Sequence, residues 1–394
     1  MSNVKIYAKT IEDEARKQIE DLASLAAFSS SVIRIMPDCH SGKGCVIGFT
    51  ADLGDKTIPN IVGVDIGCGM LATKIDCSNP DLEKLDQIIK TNIPSGMDVN
   101  EQVRKEFDTS SIRCLSKINN RKNRIPRSLG TLGGGNHFIE LDKSEDGSVY
   151  LVVHTGSRNL GKQIAEIYQY QAIEDLSNSE KERNEIESMI KTLKEEERGI
   201  EIPNAIKEIK NYYAKQPVIP NDFCYLEGKH REDYLFDMRL AQEWAKANRL
   251  LITDTILDKM GWNKVDQFES VHNYIDDKDM VRKGAISAFK GEKLIIPLNM
   301  RDGTIIGIGK GNKDWNYSAP HGVGRKYSRS VAKKTLSLEE FQEEMKGIYT
   351  TTANISTIDE APMAYKNSNE ILEAIKPTVE VETVIKPIYN FKAA

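Results

Sequence analysis

Apolar residues return every three or four positions in several parts of this chain, which is the spacing of one face of a helix. The first series runs from Ile11 to Leu22, and Thr10 with Asp13 resembles a helix capping box at its start. Another series ends at Gly261, a residue type that is common just after a helix. This spacing predicts helices over residues 11–28, after Pro80, and over 231–260, 337–348 and 368–376.

Shorter apolar runs are bounded by glycine, proline or polar turn residues, which is typical of strands. They predict strands over residues 32–36, 45–52, 136–141, 149–154, 268–274, 293–298, 304–309 and 379–392. A turn at 144–147 joins two of them into a hairpin. Strands and helices occupy separate blocks, so the pattern favours an α+β fold over alternating βαβ units.

The middle of the chain, residues 160–262, has a different pattern that is mostly helical and strongly charged. Its most polar part, 179–199, has only a thin apolar stripe from Ile186 to Leu193. We predict a protruding helical hairpin there, with most of its surface in solvent. Residues 121–127 form a separate basic segment, which we predict to be a loop.

The composition limits the classes of function that remain. The chain has 394 residues, 39% hydrophobic and 29% charged, and can therefore bury a core. The formal net charge of -5 gives no general attraction to nucleic acid, so any RNA or DNA contact must use local basic patches. No apolar run reaches the roughly 18 residues of a membrane span. The six cysteines lack zinc-type spacing, and without an export signal we expect reduced thiols and a cytoplasmic protein.

Residues 61–70 contain the first two candidate metal ligands. This stretch begins as an apolar run of strand type and changes to glycine where Asp65 and Cys68 appear. Glycines allow a tight turn, while a carboxylate and a thiol are one hard and one soft anionic ligand. This arrangement predicts half of a metal site.

Histidines supply candidates for the other half. Only six are present, and five lie at strand ends or in glycine-bearing turns: 40, 137, 154, 272 and 321. In the predicted hairpin, opposed residue numbers sum to about 291, so His137 pairs with His154. Their imidazoles would then lie on one face, close enough to serve one metal or an adjacent pair. Aromatic stacking in a sheet is the alternative explanation.

Several motifs occur in the order seen in RtcB-type RNA ligases, and the chain is identified as resembling that family over nearly its whole length. The motifs are Met36-Pro-Asp38-Cys-His40, Asp65-Ile-Gly-Cys68, Gly133-Gly-Gly-Asn136-His137-Phe138-Ile-Glu140, His154-Thr-Gly-Ser-Arg158, His272-Asn273, Arg282-Lys283-Gly284-Ala285, His321-Gly-Val-Gly-Arg325 and Glu360-Ala-Pro-Met-Ala-Tyr365-Lys366. The resemblance implies one RtcB-like catalytic domain over 1–394, with mixed and antiparallel sheets around a central metal cleft. The charged segment at about 160–262 would be a helical insertion.

The resemblance also implies an activity: joining of an RNA 3′-phosphate or 2′,3′-cyclic phosphate to a 5′-hydroxyl, in RNA repair or tRNA splicing, with GTP and two Mn²⁺ ions. Ligands to the ions would be Asp65, Cys68, His137, His154 and His272, with the Cys68 thiolate as a bridge. A thiolate among imidazoles suits Zn²⁺ as well, so ligand type alone does not choose the metal. His321 would be the nucleophile that carries GMP, and Asp38 would orient it.

The nucleotide contacts follow from the same resemblance. Glu140 would select guanine, because a carboxylate can accept from N1–H and the 2-amino group together. Further contacts to GTP would be Asn136, Phe138, Asn273, Asn299, Thr304, Val323, Gly324, Tyr365 and Lys392. Candidate contacts to RNA phosphates are Arg158, Arg282, Lys283, Arg325 and Arg329, which would position RNA and not read its sequence.

The turn at 297–303 departs from the family, which has a Pro-Gly-Ser-Met-Gly turn here. Asn299 and Thr304 stand where the family has serines, and Val323 replaces an alanine. These differences resemble a divergent bacterial branch linked to RNA repair, in which a helper protein or a release-factor-like protein would be a partner.

Two other functions fit the same residues. Paired cations and a histidine also suit a two-metal phosphoesterase that opens RNA cyclic phosphate ends. A non-catalytic relative that binds RNA or stores metal would keep the ligands and lack nucleotide transfer.

Overall fold

The computed structural model describes residues 3–215 and 219–393. Its strands are β1 (Val4–Ile6), β2 (Ile33–His40), β3 (Ile47–Asp52), β4 (Gly69–Ile75), β5 (Phe138–Lys143), β6 (Val149–Thr155), β7 (Lys264–Val271), β8 (Tyr274–Ile275), β9 (Met280–Lys283), β10 (Ala285–Ser287), β11 (Lys293–Asn299), β12 (Gly303–Gly309), β13 (Ser318–Pro320) and β14 (Val379–Lys392). Its α-helices are α1 (Asp13–Ser24), α2 (Pro59–Val62), α3 (Leu82–Asn92), α4 (Arg124–Arg127), α5 (Arg158–Leu176), α6 (Asn178–Glu195), α7 (Ile202–Tyr213), α8 (Gly228–Met260), α9 (Arg329–Thr335), α10 (Leu338–Glu344) and α11 (Ser368–Ala374).

The largest sheet is antiparallel and has the order β11-β12-β14-β5-β6-β4-β7. A second sheet has the order β1-β2-β3-β9-β8, and β10 pairs with β13. Within residues 3–215 and 219–393, the only parallel strand pair of the second sheet is β1 with β2. These mixed and antiparallel sheets, with helices in separate blocks, confirm the predicted α+β class.

The β5–β6 hairpin forms, but the predicted register is wrong by one residue. Phe138 lies opposite His154, so opposed residue numbers sum to 292. His137 lies just before β5, in the turn that follows the glycine-rich segment. The two imidazoles still meet, with ring centroids 5.5 Å apart.

The helix α8 supports the largest sheet from behind. Its middle is buried, including Trp244 and Ile252, and it packs against α5, β6 and β4. It ends at Gly261, which has the left-handed φ of 72° that the sequence pattern predicts for a helix end. The helices α6 and α7 pack against each other as a hairpin, but the segment 179–199 predicted as a hairpin supplies only α6 and the turn after it. Among the described residues, no helix combines the length and the apolar character needed to cross a bilayer.

Three local predictions are corrected. The helix predicted over 11–28 is α1 followed by a 3-10 turn, and its N-cap is Glu12 without a side-chain cap bond. The apolar start of 61–70 belongs to the short helix α2, and the strand begins only at Gly69. The basic segment 121–127 is not a plain loop, because it holds a 3-10 turn and α4.

Candidate metal and nucleotide site

The turn that carries Asp65 and Cys68 is fixed to the turn after β7. The Gly67 amide donates to the Asn273 carbonyl at 3.0 Å, and the His272 amide donates to the Cys68 carbonyl at 2.7 Å. The Asn273 side-chain amide also donates to the Asp65 carbonyl at 3.3 Å. These bonds bring two segments that are 200 residues apart in sequence into one rigid unit.

Five side chains converge at this unit. The Cys68 Sγ lies 3.5 Å from His137 Nε2 and 3.3 Å from His154 Nε2. His154 Nε2 lies 3.4 Å from His272 Nε2, and His137 Nε2 lies 3.0 Å from Asp65 Oδ2. The ligand atoms form two groups, Asp65 with Cys68 and His137, and Cys68 with His154 and His272. Cys68 is common to both.

Hydrogen bonds behind the imidazoles determine which nitrogen faces the cluster. His137 Nδ1 lies 2.8 Å from the Leu132 carbonyl, and His154 Nδ1 lies 3.2 Å from the Asn136 carbonyl. A carbonyl only accepts, so each Nδ1 carries a proton and points away from the cluster, and each Nε2 is the nitrogen that would bind a metal ion. Burial, followed by the neighbouring cationic groups, holds the pKa of His154 and of His272 well below the usual value. Neutral imidazoles are the form that binds metal.

The two acidic side chains of the cluster, Asp65 and Cys68, have pKa values that are shifted in opposite directions. Burial would raise the pKa of Asp65, but His137, Cys68 and Arg158 lower it to about 2. Burial and the Asp65 charge raise the pKa of the Cys68 thiol well above its usual range. A divalent cation at this site would stabilise the Cys68 thiolate, so the thiol would release its proton to solvent on metal binding. Carboxylate, thiolate and three inward Nε2 atoms therefore fit divalent ions, in two groups that share sulfur.

His321 stands beside this cluster, with its ring centroid 4.8 Å from that of His272. Its Nδ1 lies 2.7 Å from Oδ2 of Asp38, a fully buried carboxylate on β2. β2 runs to His40, past the end of the strand predicted over 32–36, so Asp38 lies on a strand. Nδ1 then donates to Asp38, and Nε2 is the nitrogen with a free lone pair.

Gly324 holds the His321 turn against β2. Its φ is +76°, and a Cβ there would lie 2.3 Å from the Asp38 carbonyl oxygen. A side chain would force the turn and the strand apart. The close approach keeps His321 within reach of Asp38.

A cavity of about 290 Å³ opens in front of His321 and the cluster. Most of the residues implied as nucleotide contacts line this cavity. They are Asn136, Phe138, Glu140, Asn273, Asn299, Val323, Gly324, Tyr365 and Lys392. His40, Arg325 and Arg329 also line it. Metal cluster, histidine and these side chains therefore share one space.

Glu140 is buried on β5 at the inner end of this cavity. Its Oε1 accepts from the Asn390 amide at 2.6 Å. Burial raises the pKa of Glu140 to about 7, against the opposing effects of Lys392 and Asn390. Lys392 Nζ donates to the Asn136 carbonyl at 3.0 Å and lies 5.1 Å from the Phe138 ring centroid.

Two implied nucleotide contacts have other surroundings. Thr304 is fully buried on β12 between Pro297 and Ile385, and it does not line the cavity. Asn299 lines the cavity, but its Oδ1 accepts from the amides of Arg301 and Asp302. Its side chain therefore closes its own turn, as Asn commonly does.

The implied RNA contacts divide into two groups. Arg325 and Arg329 line the cavity, and Arg158 is half-buried beside it, donating to Thr131 and the Gly96 carbonyl. Arg282 and Lys283 are buried and bond to other parts of the protein, and their contact with RNA stays a prediction. Arg282 bonds Asp276 at 2.7 Å and Ser318 at 2.9 Å, and Lys283 donates to the carbonyls of Lys43 and Asn60 at 3.0 Å.

Some supporting residues were not identified from the sequence. Glu360 binds Arg325 at 3.0 Å, Arg329 at 3.1 Å, Lys392 at 2.9 Å and the Tyr365 hydroxyl at 2.6 Å. Burial would raise the pKa of Glu360, but the three cations lower it to about 2. The one available signal was its place in the Glu360-Ala-Pro-Met-Ala-Tyr365-Lys366 motif.

Arg249 on α8 is a second missed residue, and it supports the metal cluster from behind. It is buried and donates to the carbonyls of Gly67 at 2.9 Å and Thr155 at 3.0 Å, and it pairs with Glu269. A charged residue on the buried face of a helix was the available signal.

Comparisons with known proteins show the family of this chain. A family model described as "tRNA-splicing ligase RtcB" matches residues 18–393. The chain is 29% identical to the RNA-splicing ligase RtcB of Escherichia coli (strain K12), over 99% of this chain and 97% of that protein. It is 27% identical to the tRNA-splicing ligase RtcB of Aeropyrum pernix, over 93% of this chain and 89% of that protein. Because the family match spans almost the whole chain, this protein belongs to the RtcB family of RNA-splicing ligases.

Proposed function

We propose that this chain joins an RNA 3′-phosphate, or a 2′,3′-cyclic phosphate, to a 5′-hydroxyl, with GTP and Mn²⁺. One observation carries the proposal: His321, bonded to Asp38, lies between a cluster of five metal-ligand side chains and a cavity that contains Glu140. A phosphoesterase needs the metal cluster. It has no use for an oriented second nucleophile beside a nucleotide cavity.

The ligands suit two divalent ions. Asp65 and His137 would hold one, His154 and His272 the other, and Cys68 would bridge them. When bound, such ions act as Lewis acids on phosphate oxygens and neutralise charge on attacking and leaving groups.

His321 begins the reaction. Asp38 keeps the proton on Nδ1, so Nε2 attacks the α-phosphorus of GTP. A P–N bond forms, the bond between the α- and β-phosphates breaks, and pyrophosphate leaves. Glu140, as a carboxylate, accepts from guanine N1–H and N2–H, whereas adenine offers no such pair of donors.

The guanylate then passes to RNA. An oxygen of the RNA 3′-phosphate attacks the same phosphorus and displaces His321. The 5′-hydroxyl next attacks the RNA phosphorus, loses its proton and displaces GMP. A 2′,3′-cyclic end must first be opened by water to give the 3′-phosphate.

A labelling experiment tests the proposal. With GTP radiolabelled at the α-phosphate and Mn²⁺, the protein should retain acid-labile label, and His321→Ala should retain none. His230→Ala is the matched control, because His230 is exposed and pairs with Asp175. A wild-type protein that opens RNA cyclic phosphates without ever taking label would be a phosphoesterase. RNA binding without label or product would indicate a non-catalytic relative.

A further inference from the structure

A second cleft, of about 860 Å³, adjoins the nucleotide cavity. Leu298, Asn299 and Tyr365 line both spaces and form the wall between them. Part of this wall is the turn at 297–303, where the sequence departs from the RtcB pattern.

Four cationic side chains line the cleft, and they come from separate segments: Arg301, Lys326, Lys366 and Lys386. Two carboxylates, Asp302 and Glu370, are also present. The Asp302 carboxylate already accepts three hydrogen bonds within the protein, from Arg301 at 2.8 Å, Asn299 at 2.8 Å and Ser368 at 2.5 Å. The remaining lining mixes amide and hydroxyl side chains with apolar ones.

The three lysines have neutral partners. Lys366 donates to the Cys39 carbonyl at 2.7 Å, Lys386 donates to the Asp302 carbonyl at 2.8 Å, and Lys326 Nζ lies 5.1 Å from the Tyr327 ring centroid. In the part of the chain that the structure describes, none of the three forms an ion pair with a carboxylate. Three ammonium groups with neutral partners favour an anionic ligand.

The cationic side chains that line the neighbouring nucleotide cavity have different partners. There, Arg325, Arg329 and Lys392 each form an ion pair with the buried Glu360. Lys326, Lys366 and Lys386, which form no ion pair within the described residues, line the adjoining cleft instead. A compact anion would be held by converging donors, whereas lysines spread over separate segments suit a chain of phosphates.

We propose that this cleft binds the phosphodiester backbone of single-stranded RNA as it leaves the nucleotide cavity. This proposal rests on the proposed function, since it places the RNA beside His321. Lysines bind phosphates as point charges and do not read bases, so the cleft would accept RNA of any sequence.

The test compares Lys326→Glu/Lys386→Glu with Lys229→Glu/Lys259→Glu, a control with the same charge change at the two ends of α8. Both lysines of the first pair are exposed, so folding should persist. The probe is a fluorescent oligoribonucleotide with a 3′-phosphate, and a second probe has a free 5′-hydroxyl and no 3′-phosphate. Binding is followed by anisotropy over a range of salt concentrations, and guanylate label on the protein is measured separately.

The cleft variant should bind at least one probe about tenfold or more weakly than the control does. The slope of log K against log salt should fall by about 1.4, because two phosphate contacts are lost. The probe whose binding weakens shows which RNA lies in the cleft, the one that ends in a 3′-phosphate or the one that begins with a 5′-hydroxyl. Guanylate labelling, which needs no RNA, should match the control.

Equal RNA affinity and salt slope in the two variants would overturn the proposal. Loss of labelling with intact RNA binding would also overturn it, because the lysines would then serve GTP. Failure of the wild-type protein to take label would count against the proposed function alone, since RNA binding is measured without catalysis.

Discussion

Three imidazoles at this site, those of His137, His154 and His321, share one arrangement, in which a hydrogen-bond partner holds Nδ1 and leaves Nε2 toward the cavity or the cluster. The carbonyls of Leu132 and Asn136 fix His137 and His154, and Asp38 fixes His321. The partner behind each ring therefore decides its role. A carbonyl leaves a neutral ligand for metal, whereas a carboxylate favours a nucleophile that gains positive charge as it reacts.

Cys68 is shared by both ligand groups, so its loss should affect two ions. Cys68→Ala should lower bound manganese from about two ions per chain to well below one. His272→Ala removes a ligand from one group only and should retain about one ion. Metal content after dialysis, by mass spectrometry, measures both. Equal losses in the two variants would show that Cys68 does not bridge.

Glu140 should make GTP binding depend on pH. Its pKa of about 7 means that the carboxylate prevails only above that pH, with Lys392 and Asp142 as the nearest charged or titratable groups. GTP affinity should therefore rise as the pH passes through 7, while ATP affinity should change little. Equilibrium titrations at several pH values measure this effect.

Glu140→Gln provides the control for that dependence. It should remove the pH effect and reduce the preference for GTP over ATP by about tenfold or more, because one charged acceptor is lost. An unchanged preference in the variant would place guanine recognition elsewhere.

Glu360→Gln should destabilise the protein by about 3–5 kcal/mol at pH 7, because three cations lose a buried partner. Glu344→Gln, which breaks a surface pair with Arg301, should cost less than about 1 kcal/mol. Chemical unfolding measures both. The lowered pKa of Glu360 means that its contribution is present above the unfolded value near 4.5 and is lost toward pH 2. Wild type and variant should therefore converge in acid.

At the scale of elements, the site is made where strands end and turns begin. β4 starts just after Cys68, β5 just after His137, and β7 ends just before His272. In the β5–β6 hairpin, the two strands could be predicted from the sequence but their register could not. Turn residues and apolar runs predicted β5 and β6, but the one-residue register depended on the hydrogen bonding of the 144–147 turn.

Gly324→Ala tests the contact between the His321 turn and β2. A Cβ would collide with the Asp38 carbonyl, so the turn should shift and guanylate labelling should fall by about a hundredfold. Gly347→Ala is the matched control, because Gly347 also has a positive φ, of +89°, but open space around it. The control should show only the backbone cost of about 1–2 kcal/mol. Equal labelling in the two variants would contradict the positioning role.

At the scale of the molecule, the site depends on segments from across the whole chain. Asp38 lies on the second sheet, and the candidate metal cluster lies at the end of the largest sheet. Through Arg249, α8 supports the turn at 65–68 and the end of β6. The unfolded chain has no such site, so metal should bind the folded state almost exclusively.

Manganese should therefore raise the melting temperature of the wild-type protein. At a free concentration of about 100 times Kd, the expected stabilisation is about 2.7 kcal/mol. Cys68→Ala should show a much smaller increase, and a chelator should reverse the increase in the wild type. Thermal unfolding followed by circular dichroism measures it. An increase of the same size in Cys68→Ala would place the manganese at another site.

The sequence by itself determined the kinds of element, because apolar spacing and glycine positions act locally. It also determined the ligand types and, through ordered motifs, the family. The convergence of those ligands, the burial of Arg282 and Lys283, and the part played by Glu360 depended on contacts between segments far apart in the chain. Such contacts arise only when the sheets and α8 pack together, and no local pattern encodes the distance between them.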